Sequence, residues 1–183
     1  MRALVLFSAL VALTAVEGQA RLLLTQKQAL DLAFPAGTAV ERKTAFLTPV
    51  QVKEAETLAR GKVESKVWTY YVATSSGAAG GGAAGWAYFD RVIVRTMPAT
   101  VMGAVAPDGT LRFLEVLTFD EPDDYKASPR WLAQLKGRPL DKELRIGGVL
   151  RNQTGATLTS ASFAEAARRM LAVHATLHPK VAR

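Results

Sequence analysis

Two β-type runs, residues 99–106 and 110–119, are separated by a short polar connection that contains Asp108 and Gly109. An Asp-Gly pair between such runs is a strong signal for a two-residue hairpin turn. Parallel neighbours would need a long crossover connection, which this spacing does not provide. The chain is therefore predicted to build an antiparallel sheet.

Further β-type and helical patterns lie on both sides of this hairpin. Aromatic and β-branched residues predict two more strands, at 67–72 and 86–94. Caps, prolines and apolar spacing predict helices at 25–32, 49–60 and 162–177, with a short helix starting at Ser128. Together these elements predict an α+β fold, in which helices pack on an antiparallel sheet.

The start of the last helix and the small-residue tract before the second strand carry more specific predictions. The last helix is expected to open on a capping box, because Glu165 stands three residues after Ser162. The Ser, Gly and Ala tract at 75–85 lacks the Lys-Ser/Thr ending of a nucleotide-binding loop. That tract is predicted to be a flexible hairpin connection.

The first twenty residues resemble a secretory signal. A basic Arg2 precedes an apolar run at 3–16, and small residues follow around Ala20. The run is shorter than the roughly 20 residues that span a bilayer. Residues 1–20 are therefore predicted to be a signal peptide cleaved after Ala20, and the competing interpretation is a buried N-terminal helix. Residues 21–183 would form one periplasmic or secreted domain without a transmembrane segment.

The positive charge is concentrated in the last third of the chain. The formal net charge is +7, and residues 130–183 carry ten Lys and Arg against three acidic residues. The basic residues are scattered and lack interleaved stacking aromatics, which argues against nucleic acid. An anionic cofactor or an acidic partner protein fits better, and a solvated basic surface remains the alternative. The absence of cysteine excludes thiolate chemistry and cysteine metal sites.

The basic third contains a run of small and hydroxyl residues at 154–160. A helix that begins near this run would direct its unpaired N–H groups and positive dipole end toward it. Such an arrangement suits a phosphate group. The competing interpretation is a small-residue turn in which Thr159 or Ser160 caps the helix.

The same run resembles the Ser/Thr-Gly-Ala-Thr signature of the FMN-binding domain family. That family includes the flavin-carrying subunits of sodium-pumping NADH:quinone reductases and of Rnf-type complexes, and small exported proteins. The hairpin with its Pro107-Asp108-Gly109 turn, the pair Glu121-Pro122 and the segment 131–137 resemble family features as well. The resemblance covers roughly residues 85–172.

The resemblance implies that FMN is joined through a phosphoester to Thr157. A magnesium- and FAD-dependent FMN transferase would make this bond, and a membrane or periplasmic redox partner would exchange electrons with the flavin. The chain would then be an electron carrier or redox subunit rather than a stand-alone enzyme. The implied cofactor-binding residues are Thr154, Gly155, Ala156, Thr157, Leu158, Thr159, Glu121 and Trp131.

One departure from the family pattern favours a different function. Family members often carry an acidic residue three positions before the signature, where this chain has Arg151. The alternative is therefore an exported binding module of the same fold that is never flavinylated. A donor domain that depends on a dedicated reductase or an electron-bifurcating complex is a third possibility.

Other residues offer weaker candidates. His174 and His178 share a helix face and could bind a metal, but no third ligand is evident and packing explains them better. Tyr125, Trp131 and Phe119 could flank a flavin ring or belong to the core. No catalytic triad or carboxylate pair can be assembled from the spacing.

Overall fold

The computed structural model describes residues 21–34, 36–74 and 83–179. Five antiparallel strands form one sheet in sequential order. The strands are β1 (Ala39–Phe46), β2 (Val67–Thr74), β3 (Ala83–Val94), β4 (Met97–Val105) and β5 (Leu111–Phe119). The helices are α1 (Gln26–Ala33), α2 (Pro49–Ala59), α3 (Pro129–Leu132) and α4 (Thr157–Leu177). The α+β class, with an antiparallel sheet, packed helices and a C-terminal helix, is confirmed.

The hairpin between β4 and β5 is confirmed, but its turn is longer than two residues. Ala106 donates its N–H to the carbonyl of Thr110 at 2.9 Å, which leaves residues 107–109 as the loop. Gly109 takes a φ of +83° and Asp108 is not among the positive-φ residues. A type I′ turn requires positive φ at both central residues, whereas a three-residue loop needs it only at the glycine.

The edge strand β1 is absent from the sequence-based prediction. Seven of its eight residues are exposed, so no alternation of apolar and polar residues marks it. It pairs along its full length with β2. Charged residues such as Glu41 and Lys43 are typical of an edge strand, where they discourage pairing with another chain.

The predicted starts of the first two helices are confirmed. Thr25 and Thr48 each accept a hydrogen bond from a backbone N–H three residues later. Helix α1 covers one face of the sheet, where Ala29, Ala33 and Phe34 join a core cluster with Met102 and Leu117. Helix α2 packs with α4 over the other face.

Helix α4 forms the main core against β3, β4 and β5. Phe163, Met170 and Leu171 are almost wholly buried. Gly103 on β4 permits this close approach, because a Cβ there would lie 2.9 Å from the Met170 side chain. The helix therefore has a fixed position over the sheet.

The start of α4 differs from the prediction. The helix begins at Thr157, five residues before the predicted capping box, and its N-cap residue Ala156 offers no side-chain cap. Ser162 instead donates its hydroxyl to the carbonyl of Ile93 at 3.3 Å. The capping-box prediction was wrong because Ser162 already lies inside the helix and satisfies a strand carbonyl.

Arg168 on α4 ties three segments together. Its guanidinium donates to the carbonyls of Leu58 and Ala59 at the end of α2, and to those of Asp141 and Leu144. The last carbonyls of a helix lack intrahelical partners and favour a cation. Arg168 thus fixes the end of α2 and the segment 137–148, which contains no helix or strand, as predicted.

Two predictions lie outside the described residues. The signal peptide at 1–20 falls there, as does most of the small-residue tract at 75–85, although β2 and β3 are antiparallel neighbours on either side of it. Within the described ranges, no helix is long and apolar enough to cross a membrane.

Candidate functional site

The hydroxyl-rich run forms a turn that leads directly into α4. Gly155 takes a φ of +83°, which favours glycine. The first i→i−4 bond of the helix joins the Ser160 N–H to the carbonyl of Ala156 at 2.9 Å. The N–H groups of Thr157, Leu158 and Thr159 precede that bond and have no partner within the helix. They form the positive end of a helix of 21 residues.

The hydroxyl groups of this run lie in different environments. Thr159 is buried and donates its hydroxyl to the carbonyl of Tyr125 at 2.5 Å. Ser160 is wholly buried, and its hydroxyl has no hydrogen-bond partner among the described residues. Neither caps the helix, so the competing interpretation of Thr159 or Ser160 as a cap was wrong. Thr154 and Thr157 are exposed.

The hydroxyl of Thr157 makes two long contacts with the residues that precede the turn. Its Oγ accepts a hydrogen bond from the side-chain amide of Asn152 at 3.2 Å and lies 3.4 Å from the carbonyl of Gln153. These contacts orient the hydroxyl without burying it. Of the two exposed hydroxyls, this one belongs to the first turn of the helix, beside the N–H groups that have no partner within the helix.

A cavity of about 200 Å³ lies against this turn. Its walls are formed by residues 155–159, Arg95 and Tyr125. The guanidinium carbon of Arg95 lies 4.0 Å from the centre of the Tyr125 ring, a cation–π contact that orients the side chain. A cation and a helix N-terminus therefore face the same small space.

Arg95 occupies a two-residue turn between β3 and β4, where its φ is +54°. Glu121 is buried beneath this turn. Its Oε1 accepts the backbone N–H groups of Thr96 and Met97 at 2.9 and 3.0 Å and the Thr96 hydroxyl at 3.1 Å. The backbone N–H of Thr96 contributes most to lowering the pKa of Glu121. Glu121 does not line the cavity; it fixes the turn that carries Arg95.

Trp131 also does not line the cavity, but it fixes the segment that leads into the turn. Its buried indole donates its N–H to the carbonyl of Arg151 at 2.7 Å. Gln134 accepts the Arg151 backbone N–H at 2.8 Å. The backbone of Arg151 is thus held on both sides by the segment that follows Ser128, while the residue itself is exposed.

Gln153 provides a second anchor for the same segment. Its Oε1 accepts the N–H and the hydroxyl of Ser128, both at 2.9 Å, and its Nε2 donates to the carbonyl of Lys126 at 3.1 Å. These contacts fix the chain immediately before the turn. The sequence gives no signal for this role, because the partners are about 25 residues apart along the chain.

The structure thus brings together five of the eight predicted site residues on the cavity wall: Gly155, Ala156, Thr157, Leu158 and Thr159. Thr154 precedes them in the turn, and Glu121 and Trp131 support the site from behind. Arg95 and Gln153 were not predicted. Arg95 has one signal in the sequence, its place in a short connection between two β-type runs, but nothing in that pattern links it to residues 60 positions later.

The remaining candidates differ in their positions. Phe119 is buried against Phe163 in the core, while Tyr125 lines the cavity. His174 contacts Trp86 and Tyr88 and lies 3.0 Å from the Tyr88 hydroxyl through its Nδ1. It is seventeen residues beyond Thr157 on α4, roughly 25 Å at 1.5 Å per residue.

His178 belongs to the same aromatic cluster. It packs against Trp86 and His174, and burial lowers its pKa. No group of three or more His, Asp and Glu suited to a metal ion is found in the described part of the chain. Both histidines pack against Trp86 in this cluster, and the buried Nε2 of His178 has no hydrogen-bond partner among the described residues.

No family model, curated protein or solved structure matches this chain.

The two threonines of the first turn should respond differently to loss of the hydroxyl. Thr159→Val leaves the carbonyl of Tyr125 without its partner, and we expect a loss of about 2 kcal/mol in the free energy of unfolding. Thr157→Val is the matched control and should change it by less than about 0.5 kcal/mol, because the side chain is exposed. Urea unfolding measures both, and equal losses would contradict the described environments.

Glu121 should contribute to stability in a pH-dependent way. Its pKa is lowered in the folded state, so its contribution is complete above the pKa of an unfolded glutamate, about 4.3, and is lost as the pH falls through the folded value. We expect Glu121→Gln to flatten the fall in unfolding free energy below about pH 4.3. Glu54→Gln, at an exposed position on α2, is the control. The same slope in wild type and Glu121→Gln would contradict this role.

Proposed function

We propose that this protein is an exported electron-transfer flavoprotein that carries FMN through a phosphoester on Thr157. One observation carries the proposal. Thr157 presents an exposed hydroxyl in the first turn of a 21-residue helix, on the wall of a cavity that also contains Arg95. The resemblance of residues 154–160 to the flavinylation signature supplies the identity of the cofactor.

The charges around Thr157 suit a phosphoester. A phosphate esterified on both sides keeps one negative charge, which the N–H groups of the helix start stabilise. Arg95, which lines the same cavity, adds a charge-assisted hydrogen-bond donor. Glu121 uses one of its oxygens to bond the turn behind Arg95, so the carboxylate stabilises the position of the cation.

The size of the cavity limits what it can enclose. Sites that surround a whole small molecule measure roughly 300–1,000 Å³. The space of about 200 Å³ beside Thr157 fits the phosphate and the adjoining polyol. The isoalloxazine ring would then remain accessible from outside, as electron exchange with a partner requires.

The chain itself would bind, attach and orient, and the bound flavin would supply the redox chemistry. A magnesium- and FAD-dependent transferase would join Thr157 Oγ to the phosphorus of the FMN moiety, releasing AMP and the hydroxyl proton. Gly155 and Ala156 carry little bulk, which gives such an enzyme access to the acceptor. A covalent bond would prevent loss of the cofactor outside the cytoplasm.

Arg151 is the observation that favours the alternative, a binding module that is not flavinylated. The residue is exposed six positions before Thr157, where a transferase would contact the acceptor segment. Only its backbone is held by Trp131 and Gln134. Its substitution should therefore change recognition without disturbing the turn, which makes Arg151 a useful experimental variable.

Intact-protein mass measurement after co-expression with an FMN transferase in an exporting host tests the proposal. We expect wild type and Thr157→Ser to gain the mass of one FMN less one water, and Thr157→Ala to gain nothing. Thr154→Ala, which removes the other exposed hydroxyl, is the matched control and should be labelled.

Two results would contradict the proposal in different ways. Labelling of Thr157→Ala would show that Thr157 is not the acceptor, although the chain is flavinylated. The absence of label on both wild type and Arg151→Asp would contradict the covalent model. Labelling of Arg151→Asp alone would instead establish the acceptor site while favouring the non-flavinylated module for the natural chain.

A further inference from the structure

A second and larger cavity lies where the sheet divides. Strands β2 and β3 pair only between residues 70–74 and 83–88. The rest of β2, residues 67–69, stays paired with β1. The rest of β3, residues 89–94, stays paired with β4. The two strands, with the end of α2 and the start of α4, border a half-open space of about 830 Å³, a volume typical of small-molecule sites, which is called the opening below.

The strand edges in this opening are already occupied by side chains. The hydroxyl of Ser65 accepts the N–H of Val67 at 3.1 Å and donates to its carbonyl at 2.7 Å. Ser162 bonds the carbonyl of Ile93, and the carboxylate of Asp90 accepts the N–H of Arg91. Addition of a further strand is therefore disfavoured, because its backbone would have to displace these contacts.

The walls carry an excess of positive charge. Six Lys and Arg and three acidic residues line the opening. Asp90 is neutralised by Arg169, whose guanidinium lies 2.8 Å from it in a mostly buried ion pair. Among the other cations, Lys62 lies 3.6 Å from Glu56 at the edge of the opening. The acidic residues left on its walls are Glu64 and Glu165.

Three arginines concentrate this charge. Arg168 donates to four carbonyls and has five N–H groups, so one donor stays available. Burial lowers its pKa, and Arg60 and Arg145 lower it further by repulsion, against the effect of Asp141. Arg145 has one long ion pair, 3.8 Å to Glu143, and no ion pair is found for Arg60 in the described part of the chain. An anion would relieve this repulsion.

The inner surface of the opening is apolar. Trp68 and Val92 line it and are 5% and 6% exposed, and the Trp68 indole N–H bonds the carbonyl of Ser65. Val67 and Ile93 add partly exposed aliphatic surface. An apolar floor beneath a cationic rim matches a ligand with one charged end and an apolar body.

We propose that this opening binds a small organic anion, with its phosphate or carboxylate group between Arg60, Arg145 and Arg168 and its apolar body against Trp68 and Val92. The site is separate from the cavity at Thr157 and does not depend on flavinylation. Phosphate and carboxylate both present anionic oxygens that accept hydrogen bonds from arginine. The probes therefore include one ligand of each kind.

Isothermal titration calorimetry on the protein without flavin tests this site. The ligands are naphthyl phosphate, naphthoate, inorganic phosphate and the neutral naphthol. We expect at least one of the two organic anions to bind, and to bind more tightly than inorganic phosphate or naphthol. Arg145→Gln should weaken that binding at least about tenfold, since it removes a charge-assisted hydrogen bond to the anion. Arg60→Gln is a second variant, and Arg42→Gln, exposed on β1 outside the opening, is the matched control.

Several results would overturn the proposal. Failure of both organic anions to bind wild type removes the site. Equal affinity of naphthol excludes recognition of the charge, and equal affinity of inorganic phosphate excludes the apolar floor. The same loss in Arg42→Gln as in Arg145→Gln would show attraction by net charge alone. Thermal unfolding of each variant identifies one that has lost its fold, and the other arginine variant then decides.

Discussion

The burial of α4 against the sheet is the constraint on which the arrangement of both cavities depends. Phe163, Met170 and Leu171 are buried along its inner face, and each such side chain contributes about 1.5–3 kcal/mol when fully removed from water. Gly103 provides the space for this contact. Arg168, on the same helix, bonds the end of α2 and the segment 137–148. The helix therefore cannot shift without breaking contacts on three sides, and its first turn has a fixed position.

Buried polar groups then define the space in front of that first turn. Thr159 bonds the backbone of Tyr125 on one side, and Glu121 bonds the turn that carries Arg95 on the other. Arg95 and Tyr125 contact each other and close the wall. The exposed Thr157 hydroxyl thus lies beside groups whose own positions are fixed by hydrogen bonds. Such preorganisation lets a site bind an anion without reordering its donors.

Local patterns predicted the parts of the fold that local interactions decide. Thr25 and Thr48 mark helix starts through their own side chains, and Gly109 marks the hairpin through its φ. Strand β1 was missed because an exposed edge strand needs no apolar alternation. The start of α4 was misplaced because Ala156 has no capping side chain, while Ser162 and Glu165 imitate a capping box inside the helix. Arg95 and Gln153 could not be found, since their partners are distant in sequence.

The most direct measurement of the central claim is the location of the flavin within the chain. Trypsin cleaves after Arg151 and Arg168, so the peptide 152–168 contains every hydroxyl of the turn and of the first helical turns. Tandem mass spectrometry of this peptide from the matured protein should place the FMN phosphoester on Thr157. A phosphoester on Thr154, Thr159 or a serine of this peptide, or flavin bound to any other peptide, would contradict the account.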